Sequence, residues 1–293
     1  MFIATLIASD HLNTGQLSEA RDRMAATGAV VEQPIWLDEA IAVDLPFAGD
    51  VGAVRAALEG ALAGVDVVVQ AAADREKRLL IADMDSTMIP VECIDELADY
   101  AGIKPQIAEV TERAMRGELD FAAALDARVA LLKGLAEGAI DQCLAERVTL
   151  MPGAAALIRT MRARGAYTVL VSGGFTRFAE PVAAQIGFDR AIANQLLIED
   201  GALTGAVAKP IVDSATKEAT LRAVAGERGI PLSQTLAVGD GANDLPMIRA
   251  AGLGVAYHAK PVVAAAAAAR VEHGDLTALL YAQGISRRDW IID

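Results

Sequence analysis

Three short, almost continuously apolar runs constrain the fold of this chain more than any other feature. They occupy residues 79–82, 167–171 and 235–238. Such runs are typical of strands that are buried on both faces of a parallel sheet. Helical candidates lie between and after them, at residues 154–164, 175–186, 217–229 and 245–251. The alternation predicts an α/β domain built on a Rossmann-like open parallel sheet.

Each of the three apolar runs ends in a cluster of polar residues. The clusters are Asp83-Met84-Asp85-Ser86-Thr87, Ser172-Gly173-Gly174 and Gly239-Asp240-Gly241-Ala242-Asn243-Asp244. In open parallel sheets, ligand sites lie outside the carboxyl ends of the strands, so we expect the three clusters to meet at one edge. Loop carboxylates and helix N-caps would explain any one cluster alone. Three clusters in this order favour a functional site.

Four carboxylates, those of Asp83, Asp85, Asp240 and Asp244, would lie close together at that edge. Without compensation they would repel one another, and some of their pKa values would rise. A hard divalent cation removes this conflict, and a ligand set made only of oxygen atoms indicates Mg²⁺ rather than Zn²⁺. The sequence therefore predicts a magnesium site.

Two further segments complete the predicted organisation. Residues 91–150 have helical periodicity and no strand signal, and they interrupt the first strand–helix connection, which predicts an inserted helical cap. Residues 1–75 show the order β-α-β-β-α-β, a ferredoxin-like α+β pattern. A polar, charged segment at 71–78 indicates a linker. We therefore expect an amino-terminal domain at 1–75 and an α/β domain at 76–293.

The charge and the arrangement of apolar residues exclude several classes of function. The chain has 26 Lys plus Arg and 39 Asp plus Glu, a net charge of −13, which disfavours nucleic acid and anionic membranes as partners. We expect no signal peptide and no membrane span, and the alanine run at 264–269 suits a helix. Cys93 and Cys143 lack metal-ligand spacing and should be reduced and buried. The expected compartment is the cytoplasm.

The polar clusters resemble the motifs of the haloacid dehalogenase (HAD) superfamily of phosphatases. Asp83-x-Asp85-x-Thr87 is similar to the first motif, and Ser172-Gly173, Lys217 and Gly239-Asp240-Gly241-x-Asn243-Asp244 are similar to the second, third and fourth. Segments at 91–98, 115–121, 128–129 and 171–175 resemble the phosphoserine phosphatase family within that superfamily. The amino-terminal unit resembles ACT-like domains in the order of its elements.

The resemblance implies a Mg²⁺-dependent hydrolysis of O-phospho-L-serine to L-serine and phosphate, the last step of serine biosynthesis. It implies an aspartyl-phosphate intermediate on the nucleophile Asp83, with Asp85 as general acid and base. Metal ligation is implied for Asp83, the backbone carbonyl oxygen of Asp85, and Asp240, with Asp244 in a supporting role. Lys217 would contact Asp83 and the phosphate, and Lys209 is the alternative for that role.

The substrate would meet residues from both the sheet edge and the cap. Those expected to bind it are Glu92, Met115, Phe121, Arg128, Ser172, Gly173 and Asn243. Glu92 suits the ammonium group of phosphoserine, and Arg128 suits its carboxylate because a guanidinium presents a planar fork of donors. Solvated helix charge is the alternative for these two. Met115 and Phe121 would close over the substrate, or simply pack within the cap.

Two other functions stay open at this point. A phosphotransferase would move phosphate from phosphoserine to another alcohol, and the shape of the cap alone could make that difference. An amino-acid-sensing regulatory protein would carry a vestigial phosphatase half, although the full set of Asp83, Asp85, Lys217 and Asp240 argues against it. The expected partner is phosphoserine, a small molecule. The amino-terminal unit, which has no catalytic cluster, is a candidate for contact in a homodimer.

Overall fold

The computed structural model describes residues 1–115 and 118–292. Its first part contains β1 (Phe2–Ala8), α1 (Thr14–Ala26), β2 (Val30–Val31), β3 (Ile35–Asp38), β4 (Ala42–Ala48), α2 (Val51–Leu58) and β5 (Val65–Ala71). The strands form an antiparallel sheet in the order β2-β4-β1-β5, and β3 also pairs with β4. This is the ferredoxin-like arrangement that the sequence predicts. The short strand β3, which follows Pro34, is an addition to it.

Both faces of this sheet are covered. Side chains alternate between the faces of a strand. Ala4 and Leu6 therefore pack with Val54 and Leu58 of α2 in the core of the amino-terminal unit. Ile7 points the other way and belongs to the large core of the α/β part. The sheet thus lies between its own helices and the rest of the molecule.

The remainder of the chain forms the α/β part. Its elements are β6 (Leu79–Ala82), α3 (Cys93–Tyr100), α4 (Lys104–Met115), α5 (Phe121–Ala130), α6 (Gly138–Arg147), α7 (Ala154–Ala163), β7 (Tyr167–Phe175), α8 (Thr176–Ile186), β8 (Arg190–Asn194), β9 (Leu196–Glu199), β10 (Ala202–Val207), α9 (Ser214–Glu227), β11 (Thr235–Gly239), α10 (Leu245–Ala250), β12 (Leu253–Tyr257), α11 (Pro261–Ala266), β13 (Ala269–Val271) and α12 (Ala278–Ala282). None of the helices formed by the described residues combines the length and the apolar character needed to cross a bilayer.

A parallel sheet of six strands organises this part, in the order β13-β12-β11-β6-β7-β8. The three predicted strands are confirmed as β6, β7 and β11, which lie side by side in the middle of the sheet. Their side chains are almost all buried, as expected for strands that are covered on both faces. The carboxyl ends of all three strands therefore lie at the same edge.

The alanine-rich stretch differs from its prediction. It was expected to form a helix at 264–269, but α11 ends at Ala266 and Ala269 already belongs to β13. The alanine side chain does not enforce one backbone conformation. Pairing with a neighbouring strand therefore decides whether the end of the run is helix or strand. Val255 on β12 pairs with Ala269 and thereby draws the end of the run into the sheet.

The predicted helical cap is present as α3 to α6, between β6 and β7. Asp120 begins α5 because its carboxylate accepts a hydrogen bond from the Ala123 N–H at 2.8 Å. The β9–β10 hairpin holds the loop between α5 and α6 through two backbone hydrogen bonds between Leu203 and residues 134–135. The cap also contains Cys93 and Cys143, which are buried and free, as expected.

The amino-terminal unit is fixed to the α/β part by buried charged groups. The Asp66 carboxylate on β5 accepts hydrogen bonds from the backbone N–H groups of residues 272–274. The Arg75 guanidinium donates to Asp44 on one side and to the Ala282 carbonyl on the other. The segment 71–78 is therefore held by both parts of the molecule. The domain boundaries at 75/76 and 91/150 stay predictions.

Candidate active site

The carboxylates predicted to meet at the sheet edge do so. Asp83 follows β6, and Asp240 and Asp244 follow the neighbouring strand β11. The carboxylate oxygens of these three residues lie within 4.8 Å of one another. The Asp83 N–H donates to the Val238 carbonyl at 3.0 Å, so the pairing of the two strands continues to the site itself.

Lys217 compensates part of this negative charge. Its Nζ atom lies 2.7 Å from Oδ1 of Asp83 and 2.7 Å from Oδ1 of Asp244, and the side chain is only 1% exposed. Burial disfavours the ammonium form, but the two carboxylates more than offset this effect and raise the pKa of Lys217 to about 12. The lysine is therefore a fixed positive charge. It is carried by α9, whose N-terminus is capped by the Asp213 carboxylate.

The turn after β11 depends on its glycines. A Cβ atom at Gly239 would lie 2.4 Å from Cγ of Asp244, and one at Gly241 would lie 2.2 Å from Oδ1 of Asn243. Only glycine leaves room for both polar side chains to fold back over the turn. Asp244 is held there by two partners, because its Oδ2 accepts from the Gly241 N–H at 3.0 Å while Oδ1 contacts Lys217.

Asp85 occupies a different environment from the other three carboxylates. Its Oδ1 accepts a hydrogen bond from the Cys93 N–H at 3.1 Å, and its Oδ2 lies 3.5 Å from the Ser172 hydroxyl. Burial, followed by the charges of Glu92 and Asp83, raises the pKa of Asp85 to about 7. A carboxyl group with such a pKa can both give and take a proton near neutral pH.

The acidic cluster fits a hard divalent cation. Burial, followed by the charges of Asp83 and Glu92, raises the pKa of Asp240 to about 6, as expected where carboxylates crowd one another. The donor atoms are all oxygens, the set preferred by cations such as Mg²⁺. Both carboxylate oxygens of Asp244 are engaged, whereas in the described residues the partners of Asp83 engage only its Oδ1, so Asp83 and Asp240 are the carboxylates best placed to bind the ion.

The irregular end of β7, a loop-like stretch between Val171 and Phe175 where the register with β8 shifts, brings donors to the same edge. The Ser172 side chain is buried, and its Oγ accepts a hydrogen bond from the Gly174 N–H at 2.8 Å. Asn194 holds this loop in place, because its Nδ2 donates to the Gly173 carbonyl at 2.8 Å and its Oδ1 accepts from the Val212 N–H at 2.7 Å. Asn194 is not among the residues predicted from the sequence, because it ends β8, a partly buried strand whose apolar pattern is too weak to predict.

A cavity of about 390 Å³ lies between the sheet edge and the cap. Its lining includes Glu92, Phe121, Arg128, Gly173, Asn243 and Lys260. The Phe121 ring covers Gly173 closely, since a Cβ at Gly173 would lie 3.1 Å from Cζ of the ring. Glu92 accepts a hydrogen bond from the Ser86 hydroxyl at 2.8 Å. The cavity thus brings together the predicted substrate residues Glu92, Phe121, Arg128, Gly173 and Asn243. Ser172 is buried and contacts Gly174 of the lining, and the side chain of Met115 lies outside the described residues.

The structure separates the two candidate lysines. Nζ of Lys209 lies 2.7 Å from Oδ1 of Asp126, a residue of α5, and both side chains are about half exposed. Lys217, by contrast, contacts Asp83 directly. Another lysine, Lys260, lines the cavity and is not among the site residues predicted from the sequence. Its signal was its place shortly after the apolar run that forms β12, at the same edge of the sheet.

Comparison with known proteins identifies the family. A model of the haloacid dehalogenase-like hydrolases matches residues 80–249. The chain is 51% identical over 235 residues to a phosphoserine phosphatase of Streptomyces coelicolor, covering 80% of this chain and 57% of that protein. It is 48% identical over 225 residues to one of Mycobacterium tuberculosis, covering 76% and 55%. The chain thus spans little more than half the length of these two relatives.

A solved structure extends the similarity to almost the whole chain. It is a crystal structure from Vibrio cholerae, described as a probable phosphoserine phosphatase in unliganded form. The two share 34% of their residues with a TM-score of 0.81, over 98% of this chain and 88% of that chain. Similarity on this scale includes the antiparallel amino-terminal sheet, the parallel sheet and the cap. The chain therefore belongs to the haloacid dehalogenase-like hydrolase family.

Proposed function

We propose that this protein is a Mg²⁺-dependent phosphatase that hydrolyses O-phospho-L-serine to L-serine and phosphate in the cytoplasm. The observation that carries the proposal is the contact of Asp83 with Lys217 beside Asp240, at the floor of a cavity that also contains Glu92 and Arg128. Membership of the hydrolase family and the phosphoserine phosphatases among its relatives support it.

Asp83 is the proposed nucleophile. Its Oδ1 is engaged by the Lys217 ammonium and by the Met84 N–H, each at 2.7 Å. This leaves Oδ2 as the oxygen that attacks phosphorus, which forms an aspartyl phosphate and breaks the bond to the serine oxygen. Two easier displacements then replace one difficult hydrolysis.

Asp85 is the proposed general acid and base. With a pKa of about 7 it can be protonated when the substrate binds, and it then gives that proton to the departing serine oxygen. The resulting carboxylate takes a proton from the water that attacks the aspartyl phosphate. Phosphate leaves, Asp83 is regenerated, and Asp85 is protonated again, so the cycle closes.

The phosphoryl oxygens carry the charge that must be stabilised during the transfer. We assign Ser172 and the Gly173 N–H as hydrogen-bond donors to these oxygens, with the N-terminus of α8 close behind them in the chain. Asn243 completes the phosphate site from the other loop. A Mg²⁺ ion held by Asp83, the Asp85 backbone carbonyl and Asp240 would neutralise charge between the phosphate and the nucleophile.

The cap supplies the proposed contacts for the amino-acid part of the substrate. Glu92 faces the cavity and would bind the ammonium group, and Arg128 would bind the carboxylate. Arg128 is held by a hydrogen bond from its Nε to the Ala124 carbonyl of the preceding helical turn at 3.2 Å, and its side chain lines the cavity. Phe121 would exclude water above Gly173.

A panel of phosphate esters tests this function. We expect phosphoserine to be hydrolysed in preference to simple sugar phosphates, and EDTA to abolish turnover until Mg²⁺ is restored. Phosphate release is the measurement, and serine release in equal amount distinguishes hydrolysis from transfer to another alcohol. Equal rates on sugar phosphates would contradict the assigned substrate, and full activity in EDTA would contradict the metal.

Replacement of Arg128 by alanine tests the carboxylate site. We expect KM for phosphoserine to rise by roughly tenfold to a hundredfold, because a charge-assisted pair with the substrate is lost. Hydrolysis of phosphoethanolamine, which has the ammonium group but no carboxylate, should change little. Steady-state kinetics on both substrates give the answer, and equal losses on both would count against the role of Arg128.

We also propose that the amino-terminal unit joins two copies of the chain. The β2–β3 side of its sheet supports this, because Val30, Ile35 and Trp36 are exposed there next to unpaired strand edges. Sedimentation velocity of the full chain would reveal the dimer, and Trp36→Asp should dissociate it. A monomer at all concentrations would refute this part of the proposal.

A further inference from the structure

The cavity contains far more negative than positive charge. Asp83, Asp85, Glu92, Asp95 and Asp240 all contribute to its lining. The Lys217 ammonium is buried and already lies 2.7 Å from each of two carboxylates. A phosphate ester is itself an anion, and the chain as a whole carries a charge of −13. A cation that is exposed and not yet paired would therefore have the largest influence on how the phosphate is bound.

Lys260 is such a cation. It follows β12, which lies beside β11, and its backbone N–H donates to the Asp240 carbonyl at 3.3 Å. The backbone of Lys260 is extended, with ψ 148°, and the next residue, Pro261, begins α11. The backbone of Lys260 is thus tied to the same turn that carries Asp240.

The side chain of Lys260 points its charge at the site. It is exposed and lines the cavity, and its ammonium group interacts electrostatically with both Glu92 and Asp240. Within residues 1–115 and 118–292, however, no carboxylate lies within the 4.0 Å of Nζ that would define an ion pair. Its hydrogen-bonding capacity is therefore available to a ligand.

Arg128 is the other cation in the cavity lining, and it is not placed to contact the phosphate. Arg128 belongs to α5 of the cap and faces Asp95 and Glu92, and the proposed function already assigns it to the carboxylate of the substrate. Lys260 belongs to the sheet edge that carries the acidic cluster. The two cations therefore approach a bound amino-acid phosphate from different parts of the molecule.

We propose that Lys260 is a further substrate-binding residue, whose ammonium group contacts the phosphate oxygens of the substrate and of the phosphate product. This inference rests on the proposed phosphatase function and adds to it a residue outside the four motifs. Because the charge is exposed, it acts already on the approaching anion and not only on the bound one. The competing explanation is that Lys260 only balances Glu92 and Asp240 and touches no ligand.

The variants Lys260→Gln and Lys260→Arg test the proposal, with Lys104→Gln as the matched control. Lys104 is an exposed lysine at the start of α4, so its replacement changes the net charge equally. We expect Lys260→Gln to lower kcat/KM for phosphoserine about tenfold, mainly through KM, and to weaken inhibition by inorganic phosphate to a similar degree. Its kcat/KM should also depend less on ionic strength. Lys260→Arg should keep most of the activity, and Lys104→Gln should match the unmodified protein.

Inorganic phosphate distinguishes the two explanations. If Lys260→Gln leaves phosphate inhibition and the ionic-strength dependence unchanged, or changes only the Mg²⁺ concentration needed for activity, the proposal is wrong. If the unmodified protein does not hydrolyse phosphoserine, the proposed function fails instead. Calorimetric titration of phosphate into the Mg²⁺-loaded protein and into Lys260→Gln still decides the role of Lys260 in that case. Weaker phosphate binding by the variant supports it, and equal binding overturns it.

Discussion

Replacement of Asp83 by asparagine should reduce turnover of phosphoserine by at least roughly 10⁴-fold, as expected for the loss of a catalytic nucleophile. An amide has almost the shape of a carboxylate but is a poor nucleophile, so it cannot form the covalent intermediate. The side chain would still fill its place beside Lys217, from which Asp83 is 2.7 Å away. The loss should therefore appear in kcat while the fold is retained. Phosphate release under substrate saturation measures it.

Asp10→Asn is the matched control for this variant. Asp10 is an exposed residue of the turn after β1, far from the acidic cluster in the chain and absent from the cavity lining. The same chemical change there should leave kcat unaltered. Circular dichroism shows whether each variant is folded. Activity of Asp83→Asn near that of the unmodified protein would mean that another carboxylate attacks the phosphate.

Replacement of Lys217 by methionine should lower the free energy of unfolding by about 3–5 kcal/mol, the usual cost of removing one partner from a buried ion pair. Methionine retains much of the volume, so the loss arises from charge and not from a cavity. Asp83 and Asp244 would remain buried without their common counter-ion. Urea unfolding of the metal-free protein near pH 7.5 is the measurement. Without Lys217 and without a metal ion, burial of the Asp83 and Asp244 carboxyl groups costs free energy, because each must either stay charged without a partner or bind a proton.

A second substitution separates charge from packing. In Lys217→Met combined with Asp244→Asn, one of the two uncompensated carboxylates is gone, so part of the lost stability should return. Turnover should stay absent in both variants, since the ammonium at Asp83 is missing from each. A cost below about 1 kcal/mol for the single variant would show that the buried charge is not needed to balance the cluster.

The central strands could be predicted because both of their faces are buried. The residues of β6, β7 and β11 are apolar without alternation, and each strand ends in residues with a distinct chemical character. The outer strands β8 and β13 lack this signal, because β8 is only partly buried and β13 has three residues within an alanine-rich run. Their place in the sheet is set by pairing with residues distant in sequence.

The same limit applies to the candidate site. Asp83, Asp85, Lys217 and Asp240 could be named from their motifs, and the structure brings them together. Asn194 could not be named, because it lies at the end of β8, which has no clear pattern. Lys260 follows the apolar run of β12, but no motif marks it as part of the site. The motif spacing already favours Lys217 over Lys209, and the structure adds the contacts, since Nζ of Lys217 lies 2.7 Å from Asp83 whereas Lys209 pairs with Asp126.

Asp66 takes the place that a bound anion would have in the loop at residues 272–274. Its carboxylate is 3% exposed and accepts hydrogen bonds from three successive backbone amides. A loop of the catalytic part thus obtains its hydrogen-bond acceptor from the amino-terminal part, and would lose it if the two were separated. In this chain, Asp66 and the loop at 272–274 are therefore coupled across the two parts, because a substitution of Asp66 would leave three backbone amides of the catalytic part without their acceptor.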